Sequence, residues 1–283
     1  MSEKVEELKQ LSAYIRETIL EMVGEAKSGH PGASLSAVEI LTVLYFHVLQ
    51  VNPHRPDWKG RDRFVLSKGH ATPVLYATLA AKGFFKVEEL RTFRQIGSRL
   101  QGHPDMRKTP GVDMSTGSLA QGFASAVGMA LGLRHKQSPA RVYALLGDGE
   151  LNEGEVWESA MIAAHYRLGN LTAVIDRNQK QAGGSTKTII DLGDIGAKWH
   201  AFGWNVLEVD GHDCEALLKA FRQPPHCVVS DSRYRGQELP TVVIANTVKG
   251  KGVSFMEKGN EFYGEQLSAQ DIELALQQLR GGV

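Results

Sequence analysis

The sequence predicts an α/β protein with a mostly parallel sheet that is covered by helices on both faces. Short apolar runs such as Val142 to Leu146 and Leu171 to Ile175 alternate with longer helical segments along the chain. Runs that are apolar throughout are typical of strands buried on both faces. Because strands and helices alternate and no repeat or linker interrupts them, residues 1–283 are expected to form a single domain.

The composition is that of an ordinary globular protein, with 42% apolar and 23% charged residues and a formal net charge of zero. A neutral chain gives no reason to expect nucleic acid or an anionic membrane as a partner. The two cysteines, Cys214 and Cys227, form no CxxC motif, which favours a reducing compartment. The chain lacks a secretory signal pattern and an apolar run of membrane length. We therefore expect a cytoplasmic protein.

The first elements are helices. Apolar residues recur at three- and four-residue spacing from Val5 to Lys27, which predicts an amphipathic helix. A turn rich in glycine and proline follows and presents His30. Ser36 is expected to cap a second helix, Ala37 to Leu49, with Glu39 completing a capping box.

The middle of the chain combines one strand, two helices and a long loop. Asp62 to Leu66 reads as a strand, and a helix is expected from Pro73 to Ala81. Residues Gln95 to Gly117 form a polar loop, and loops of this length in compact domains tend to be functional. The next helix is rich in small residues, including Gly128 and Gly132, and is expected to make a close helix contact in the core or at a subunit interface.

The last third continues the alternation after a glycine-rich polar segment, Gln179 to Asp191, which is expected to lie over the site. The remaining predicted elements are helix Asp194–Gly203, strand Asn205–Val209, helix Cys214–Phe221, strand Thr241–Ala245 and helix Ser268–Leu279.

Two polar residues follow neighbouring strands at the centre of the chain. Asp148 lies in a Gly-Asp-Gly turn after the strand that ends at Leu146, and Asn178 follows the next strand, 30 residues later. Ligands of parallel sheets bind at the carboxyl ends of strands. Gly149 lets backbone approach a ligand closely. A carboxylate and an amide oxygen suit Mg²⁺ or Ca²⁺ holding a diphosphate, since Mg²⁺ takes its remaining ligands from phosphate and water.

The full string GDGELNEGEVWESAMIAAHYRLGNLTAVIDRN resembles the thiamine-diphosphate motif, and most closely that of the transketolase family. Four further fragments resemble the pattern of that family in the same order. They are Ser28–Gly32, Ser67–His70, Gly102–Pro104 and Thr116–Gly122. Together the matches extend over about residues 10 to 255.

The resemblance implies thiamine diphosphate and Mg²⁺ as cofactors, with Ca²⁺ or Mn²⁺ as substitutes for Mg²⁺. It implies that Asp148 and Asn178 bind the metal through side-chain oxygens and Lys180 through its backbone carbonyl. It also implies contact between the cofactor and a further set of residues. These are His70, Gly117, Ser118, Leu119, Gly149, Glu150, Asn178 and Lys249.

The resemblance gives His30 and His103 contacts with the substrate, and Glu153 a contact with the other active site of a dimer. Both histidines and His70 lie in turns where an imidazole can reach a cleft and donate to phosphate, carbonyl or hydroxyl. Zinc is disfavoured because HExxH is absent and no cysteine lies near them. A helix-start role remains open for Glu153, and a solvated role for Lys249.

Two segments depart from the family pattern. The family usually has a histidine after the last glycine loop, where Tyr263 is the expected substitute here, although a phenol does not titrate near pH 7. The segment from Gln179 to Gly183 is more polar than usual. These departures bear on the substrate and on cofactor packing more than on the identity of the cofactor.

Full-length transketolases are much longer and carry a second domain with the glutamate that protonates the aminopyrimidine. The resemblance therefore implies a split enzyme. Its expected partner is a C-terminal transketolase subunit with the pyrimidine-binding domain, paired as α2β2.

The leading hypothesis is the N-terminal subunit of a transketolase that moves a two-carbon ketol unit between sugar phosphates, with the cofactor as electron sink. Two alternatives remain open. One is a subunit of another thiamine-diphosphate enzyme, either 2-oxo acid dehydrogenase α-like or deoxyxylulose-phosphate synthase-like. The other is a non-catalytic regulatory subunit.

Overall fold

A computed structural model describes residues 2–222, 238–259 and 267–281. Its centre is a five-stranded sheet in which every neighbouring pair is parallel. In chain order the strands of the described residues are β1 Arg63–Leu66, β2 Val142–Gly147, β3 Leu171–Arg177, β4 Lys180–Gln181, β5 Gly184–Ser185, β6 Asn205–Asp210 and β7 Thr241–Asn246. The order across the large sheet is β1-β2-β3-β7-β6, and β4 and β5 form a small antiparallel pair. The predicted α/β class is therefore confirmed.

Helices cover both faces of the sheet. In chain order those of the described residues are α1 Ser2–Ala26, α2 Pro31–Leu35, α3 Val38–Val43, α4 Thr72–Lys82, α5 Gln121–His135, α6 Gly154–His165, α7 Thr186–Ile189, α8 Ile195–Ala201, α9 Cys214–Arg222, α10 Ser254–Lys258 and α11 Ala269–Gly281. Short 3₁₀ turns span Gly69–Ala71, Val87–Thr92 and Gly149–Asn152, and one π-helical turn spans Leu44–Val48.

Two apolar cores lie on opposite faces of the sheet. Alternate side chains of β2 enter different cores, with Tyr143 and Leu145 in one and Ala144 and Leu146 in the other. This is the period of two that a strand imposes on its side chains. Helices α1, α3, α4 and α9 pack around the first core, and α5, α6 and α8 around the second. Burial on both faces explains why the strands are apolar throughout.

The predicted capping box at the second helix is wrong. The chain already forms a helical turn at Pro31, whose fixed φ suits a first helical position. Ser36 therefore falls at the end of α2, and its hydroxyl donates to Ala33 O and to Asp176. Glu39 pairs with Arg16 instead of the backbone. Tertiary partners have replaced the local cap.

The small residues of α5 make a close contact at one end of the helix. A Cβ added to Gly122 would lie 2.7 Å from Ser67 Cα, so this first turn rests directly on the loop after β1. Apart from the adjacent residues and the backbone of α5 itself, no atom of the described chain lies within 4 Å of a Cβ added to Gly128 or Gly132. The predicted close packing is thus confirmed at the start of α5, and at its middle the described residues make no such contact.

The segment after Asn178 contains short regular elements, where the sequence predicts only a loop. Strands β4 and β5 form a hairpin, and α7 follows directly.

None of the described helices combines the length and the apolar character that a membrane crossing requires.

Candidate active site

A cleft of ≈ 310 Å³ opens at the carboxyl ends of β2 and β3. Nine residues predicted from the sequence line it: His70, Leu119, Asp148, Gly149, Glu150, Glu153, Asn178, Lys180 and Lys249. The hairpin after Asn178 closes one side through Gln181 and Ala182. The position agrees with the rule that α/β sheets bind ligands at strand carboxyl ends.

The other predicted site residues lie beside the cleft. The ring of His30 is 5.4 Å from that of His70, edge to face. A Cβ added to Gly117 would lie 3.5 Å from Cδ2 of His103, so these two positions are neighbours. Ser118 is exposed between Gly117 and Leu119, and Leu119 reaches the cleft.

Asp148 is buried at the end of β2, where its carboxylate accepts two backbone hydrogen bonds. Oδ1 accepts from Gly149 N at 2.9 Å, and Oδ2 accepts from Gln179 N at 2.6 Å. Burial, and after it the neighbouring Asp176, raise the pKa of Asp148 to about 7 against the opposing effect of the two backbone donors and Lys68. A cation next to this carboxyl group would favour its ionised form.

Asn178 holds its amide at the end of β3, next to Asp148. Its Oδ1 accepts from Lys180 N at 3.1 Å, and its Nδ2 donates to Asp176 Oδ2 at 3.3 Å. The ammonium of Lys180 donates to Glu257 O and Gly259 O, both at 3.0 Å, and so is committed to the end of α10. Because the Lys180 side chain is engaged in this way, its backbone carbonyl is the group that can bind a ligand.

A buried ion pair beneath the cleft was not predicted from the sequence. Lys68 and Asp176 are 1% and 0% exposed and form a short salt bridge. Lys68 Nζ also donates to Ala33 O at 2.8 Å, and Asp176 accepts from Ser36 Oγ and from Thr247 Oγ1. These contacts connect the His30 loop with the ends of β1, β3 and β7. In the sequence, the feature that could have indicated this ion pair is Asp176, which directly follows an apolar run.

Glu150 faces the cleft, and its carboxylate is occupied by the protein. It accepts from Ser67 Oγ, from Ala120 N at 2.8 Å and from Gly147 N at 3.1 Å. Burial raises the pKa of Glu150 above its ordinary value. Glu150 therefore fixes the loops on either side of the cleft, a role that the sequence did not reveal.

Positive charge and neutral imidazoles surround the rest of the cleft. Burial, and after it nearby cationic groups, lower the pKa of His30 to about 4 and that of His70 to about 3. Burial and Arg94 lower the pKa of His103. The pKa of Lys249 falls to about 8 through burial and the charges of Lys180 and Lys68. These positive groups lie close enough to lower one another's pKa values, so an anionic ligand placed among them would be stabilised.

The donor set fits a divalent cation carried by a diphosphate. No group of three or more His, Cys, Asp or Glu side chains that could hold a metal alone occurs within the described ranges. One carboxylate and one amide oxygen match the few protein ligands that Mg²⁺ takes when phosphate oxygens and water supply the others. The cationic surroundings suit the diphosphate. Tyr263 lies outside the described residues, as does Cys227.

The fold and cleft define an α/β protein of the class that binds its ligand where parallel strands end. The transketolase thiamine diphosphate binding domain matches residues 8–281. The chain therefore belongs to the transketolase family and represents its thiamine-diphosphate-binding part. The family comprises transferases of ketol groups, so the enzyme class predicted from the sequence is confirmed.

Two relatives of similar length are named as transketolase subunits. The chain is 45% identical over 257 residues to the 6-deoxy-6-sulfo-D-fructose transketolase subunit of a Clostridium species, covering 91% of this chain and 90% of that one. It is 39% identical over 276 residues to one subunit of the apulose-4-phosphate transketolase of Phocaeicola vulgatus, covering 98% and 95% of the two chains.

Longer transketolases contain the same domain. Human transketolase is 39% identical over 278 residues, which cover 98% of this chain and 42% of the human one. The structure of transketolase from Pichia stipitis with sedoheptulose-7-phosphate superposes with a TM-score of 0.86 at 33% identity, covering 96% of this chain and 40% of that chain. The chain thus spans about two fifths of the length of these transketolases.

Proposed function

We propose that this chain is the N-terminal subunit of a two-chain transketolase that transfers a two-carbon ketol unit between sugar phosphates. The observation that carries the proposal is the pairing of Asp148 and Asn178 at neighbouring strand ends, in one cleft with Lys249. The relatives of similar length support the two-chain organisation. Residues 1–283 form one domain in this proposal.

The metal and the diphosphate share one end of the cleft in this proposal. Asp148 and Asn178 bind Mg²⁺ through side-chain oxygens, and Lys180 binds it through its backbone carbonyl, with Ca²⁺ or Mn²⁺ able to substitute. His70 and Lys249 bind the diphosphate, because both line the cleft and Lys249 brings a positive charge. Further contacts with the cofactor would come from Gly117, Ser118, Leu119, Gly149 and Glu150. The bound cofactor supplies the electron sink of the reaction.

His30 and His103 act on the sugar in this proposal. Their lowered pKa values keep both imidazoles neutral at pH 7. A neutral imidazole offers one donor and one acceptor, so it can hold a hydroxyl or accept its proton. The aminopyrimidine end of the cofactor and most of the sugar phosphate are left to the partner chain.

The partner is a C-terminal transketolase subunit that carries the pyrimidine-binding domain, and the assembly is α2β2. Glu153 supports this arrangement because it is exposed at the rim of the cleft, where a second chain can reach it.

A cytoplasmic location is also part of the proposal. The free, buried thiol of Cys214 suits a reducing compartment.

Reconstitution tests the proposal. The full chain is mixed with its C-terminal partner, thiamine diphosphate and Mg²⁺, and ketol transfer is followed together with the mass of the complex. The expected result is transfer by an α2β2 complex, with cofactor binding lost in Asp148→Ala and kept in Asp57→Ala, a change in an exposed loop. Transfer that survives in Asp148→Ala, or a complex that binds no cofactor, contradicts the proposal.

A panel of donors defines the substrate. The 45% identical relative is named for 6-deoxy-6-sulfo-D-fructose, and the 39% identical one for apulose-4-phosphate. The panel therefore includes a sulfonated ketose, apulose-4-phosphate and ordinary ketose phosphates. Turnover of 2-oxo acids alone would favour a dehydrogenase-type subunit. Cofactor binding without turnover of any donor would favour a regulatory subunit.

A further inference from the structure

Arg94 bridges the two loops that carry His30 and His103. Its Nη1 donates to Ser28 Oγ at 2.5 Å, two residues before His30. A Cβ added to Gly102 would lie 2.7 Å from Nε and 2.8 Å from Nη2 of Arg94. The guanidinium therefore rests against the backbone next to His103, in the space left by the missing side chain of Gly102.

The guanidinium of Arg94 is a half-buried positive charge. Among the described residues no Asp or Glu forms an ion pair with it, and its Nε is buried without a hydrogen-bond partner there. After burial, Arg94 is the strongest influence that lowers the pKa of His30 and that of His103. The charge therefore acts on the two imidazoles that flank it.

The backbone of Arg94 is held in a conformation that side chains other than glycine seldom adopt. Its φ is +60°, and its amide donates to Leu100 O at 2.8 Å, which closes the turn from 94 to 100. A non-glycine residue in this region costs on the order of 1 kcal/mol or more. The contacts around Arg94 offset this conformational cost and hold its side chain in place.

We propose that Arg94 is a positioning residue for ketol transfer, which fixes the spacing of the His30 and His103 loops. The proposal rests on the proposed function, because the roles of both histidines belong to it. Arg94 itself needs no contact with the cofactor. Neutral imidazoles can accept a proton from a sugar hydroxyl, which imidazolium cannot.

Four variants separate the charge of Arg94 from its contacts. Arg94→Gln removes the charge, and Arg94→Lys keeps the charge but removes the planar fork. Ser28→Ala removes the hydrogen-bond acceptor and leaves the charge in place. Arg91→Gln is the matched control, because Arg91 is exposed three residues earlier, in the short helix before Arg94.

Histidine titration is measured by NMR on the full chain. In Arg94→Gln the pKa values of His30 and His103 are expected to rise, and in Arg94→Lys to remain near those of the unmodified chain. The other groups that act on His30 are His103 and Lys249, and neither residue is substituted in these variants. His47 is an internal reference, since burial, Lys4, Arg222 and Glu7 set its pKa without Arg94, His30 or His103.

Kinetics are measured on the reconstituted two-chain enzyme with cofactor and Mg²⁺. Arg94→Gln is expected to lower kcat/KM by about 10- to 100-fold through misplacement of the histidines. Arg94→Lys and Ser28→Ala are expected to fall between Arg94→Gln and the unmodified enzyme. The dissociation constant of the cofactor is expected to stay within about twofold in all four variants, because no Arg94 contact reaches the cleft that holds it.

The proposal is overturned if Arg94→Gln matches Arg91→Gln in both kcat/KM and histidine titration. It is also overturned if cofactor affinity falls in parallel with kcat/KM. If Arg94→Gln does not fold, as judged by circular dichroism, Ser28→Ala and Arg94→Lys decide by the same measurements. Absence of transfer in the unmodified enzyme would contradict the proposed function, and the NMR titration would then decide the case of Arg94 separately.

Discussion

Asp148 shows how burial and charge prepare a single side chain for a ligand. Its carboxylate lies 1% exposed near the buried Asp176, and these conditions raise its pKa to about 7. Before a metal ion binds, the group is therefore partly protonated at neutral pH. Metal binding needs the ionised form, so binding and proton release are coupled.

The first prediction follows from this coupling. Binding of thiamine diphosphate and Mg²⁺ is expected to release about one more proton at pH 6 than at pH 8, and affinity is expected to fall about tenfold per pH unit well below 7. Calorimetry in two buffers of different ionisation enthalpy measures the release. Titration of free thiamine diphosphate with Mg²⁺ provides the control to subtract. Equal corrected release at both pH values would contradict the assignment of Asp148.

The Lys68–Asp176 pair gives a second prediction. Lys68→Met leaves Asp176 buried without its partner and is expected to lower the free energy of unfolding by about 3–5 kcal/mol. The double variant Lys68→Met/Asp176→Leu removes both charges and is expected to recover most of that loss. Its cofactor affinity is expected to stay low, because Asn178 has lost an acceptor and Ala33 a donor.

Urea unfolding and calorimetry on the single and double variants measure the two effects separately. Normal cofactor affinity in the double variant would show that the pair contributes to stability alone. A double variant as unstable as Lys68→Met would mean that packing, and not the buried charge, dominates at this site.

At the scale of elements, the site is assembled from the ends of parallel strands. The loop after β1 brings Lys68, β2 ends before Asp148 and β3 ends before Asn178. Because parallel strands end at one edge of the sheet, residues far apart in the sequence meet there. The sequence predicted these strands closely, since their apolar runs are local. It failed at Ser36 and Glu39, where distant partners overrode a local capping pattern.

Two glycines of α5 give a third prediction. Gly122→Ala is expected to destabilise the chain by about 1–3 kcal/mol, because its Cβ would meet Ser67 backbone at 2.7 Å. Gly128→Ala is expected to stabilise it by about 0.5–1 kcal/mol, since the position is exposed and alanine favours helix. Denaturant unfolding of both variants measures the difference. Equal effects would contradict the close contact at the start of α5.

At the scale of the whole molecule, a buried polar cluster joins segments distant in the chain. Glu39 of α3 accepts from Arg16 of α1 and contacts Nδ1 of His212, the loop residue after β6. Val248 N donates to Nε2 of His212, so Nδ1 carries the proton that is donated to Glu39. Arg16 also donates to Lys251 O. One carboxylate thus links the helical layer to the loop that carries Lys249.

The fourth prediction concerns acid stability. Burial alone would raise the pKa of Glu39, but His212 and Arg16 outweigh it and lower the value to about 2. A carboxyl group with a lowered pKa stabilises the fold above pH 4.5, and this contribution is lost as the pH falls from 4.5 towards 2. Glu39→Gln is expected to cost about 3 kcal/mol at pH 7 and to flatten the pH dependence of unfolding between about 5 and 3.

Urea unfolding across that pH range tests the fourth prediction, and His30→Gln is its control. The pKa of His30 is lowered to about 4, so protonation of the unfolded chain removes stability as the pH falls from 6.5 towards 4. His30→Gln should therefore flatten the higher part of the curve and Glu39→Gln the lower part. An unchanged lower part in Glu39→Gln would contradict the role of the cluster.

The sequence by itself determined the α/β class, the central strands and the transketolase resemblance. These depend on local features: apolar runs, glycine turns and the 30-residue spacing of Asp148 and Asn178. Only the tertiary structure decided that Lys68 pairs with Asp176, 108 positions away, and that Arg94 lies between the His30 and His103 loops. The physical reason is that such contacts depend on which segments the sheet brings together and how deeply it buries them, and no local pattern encodes either.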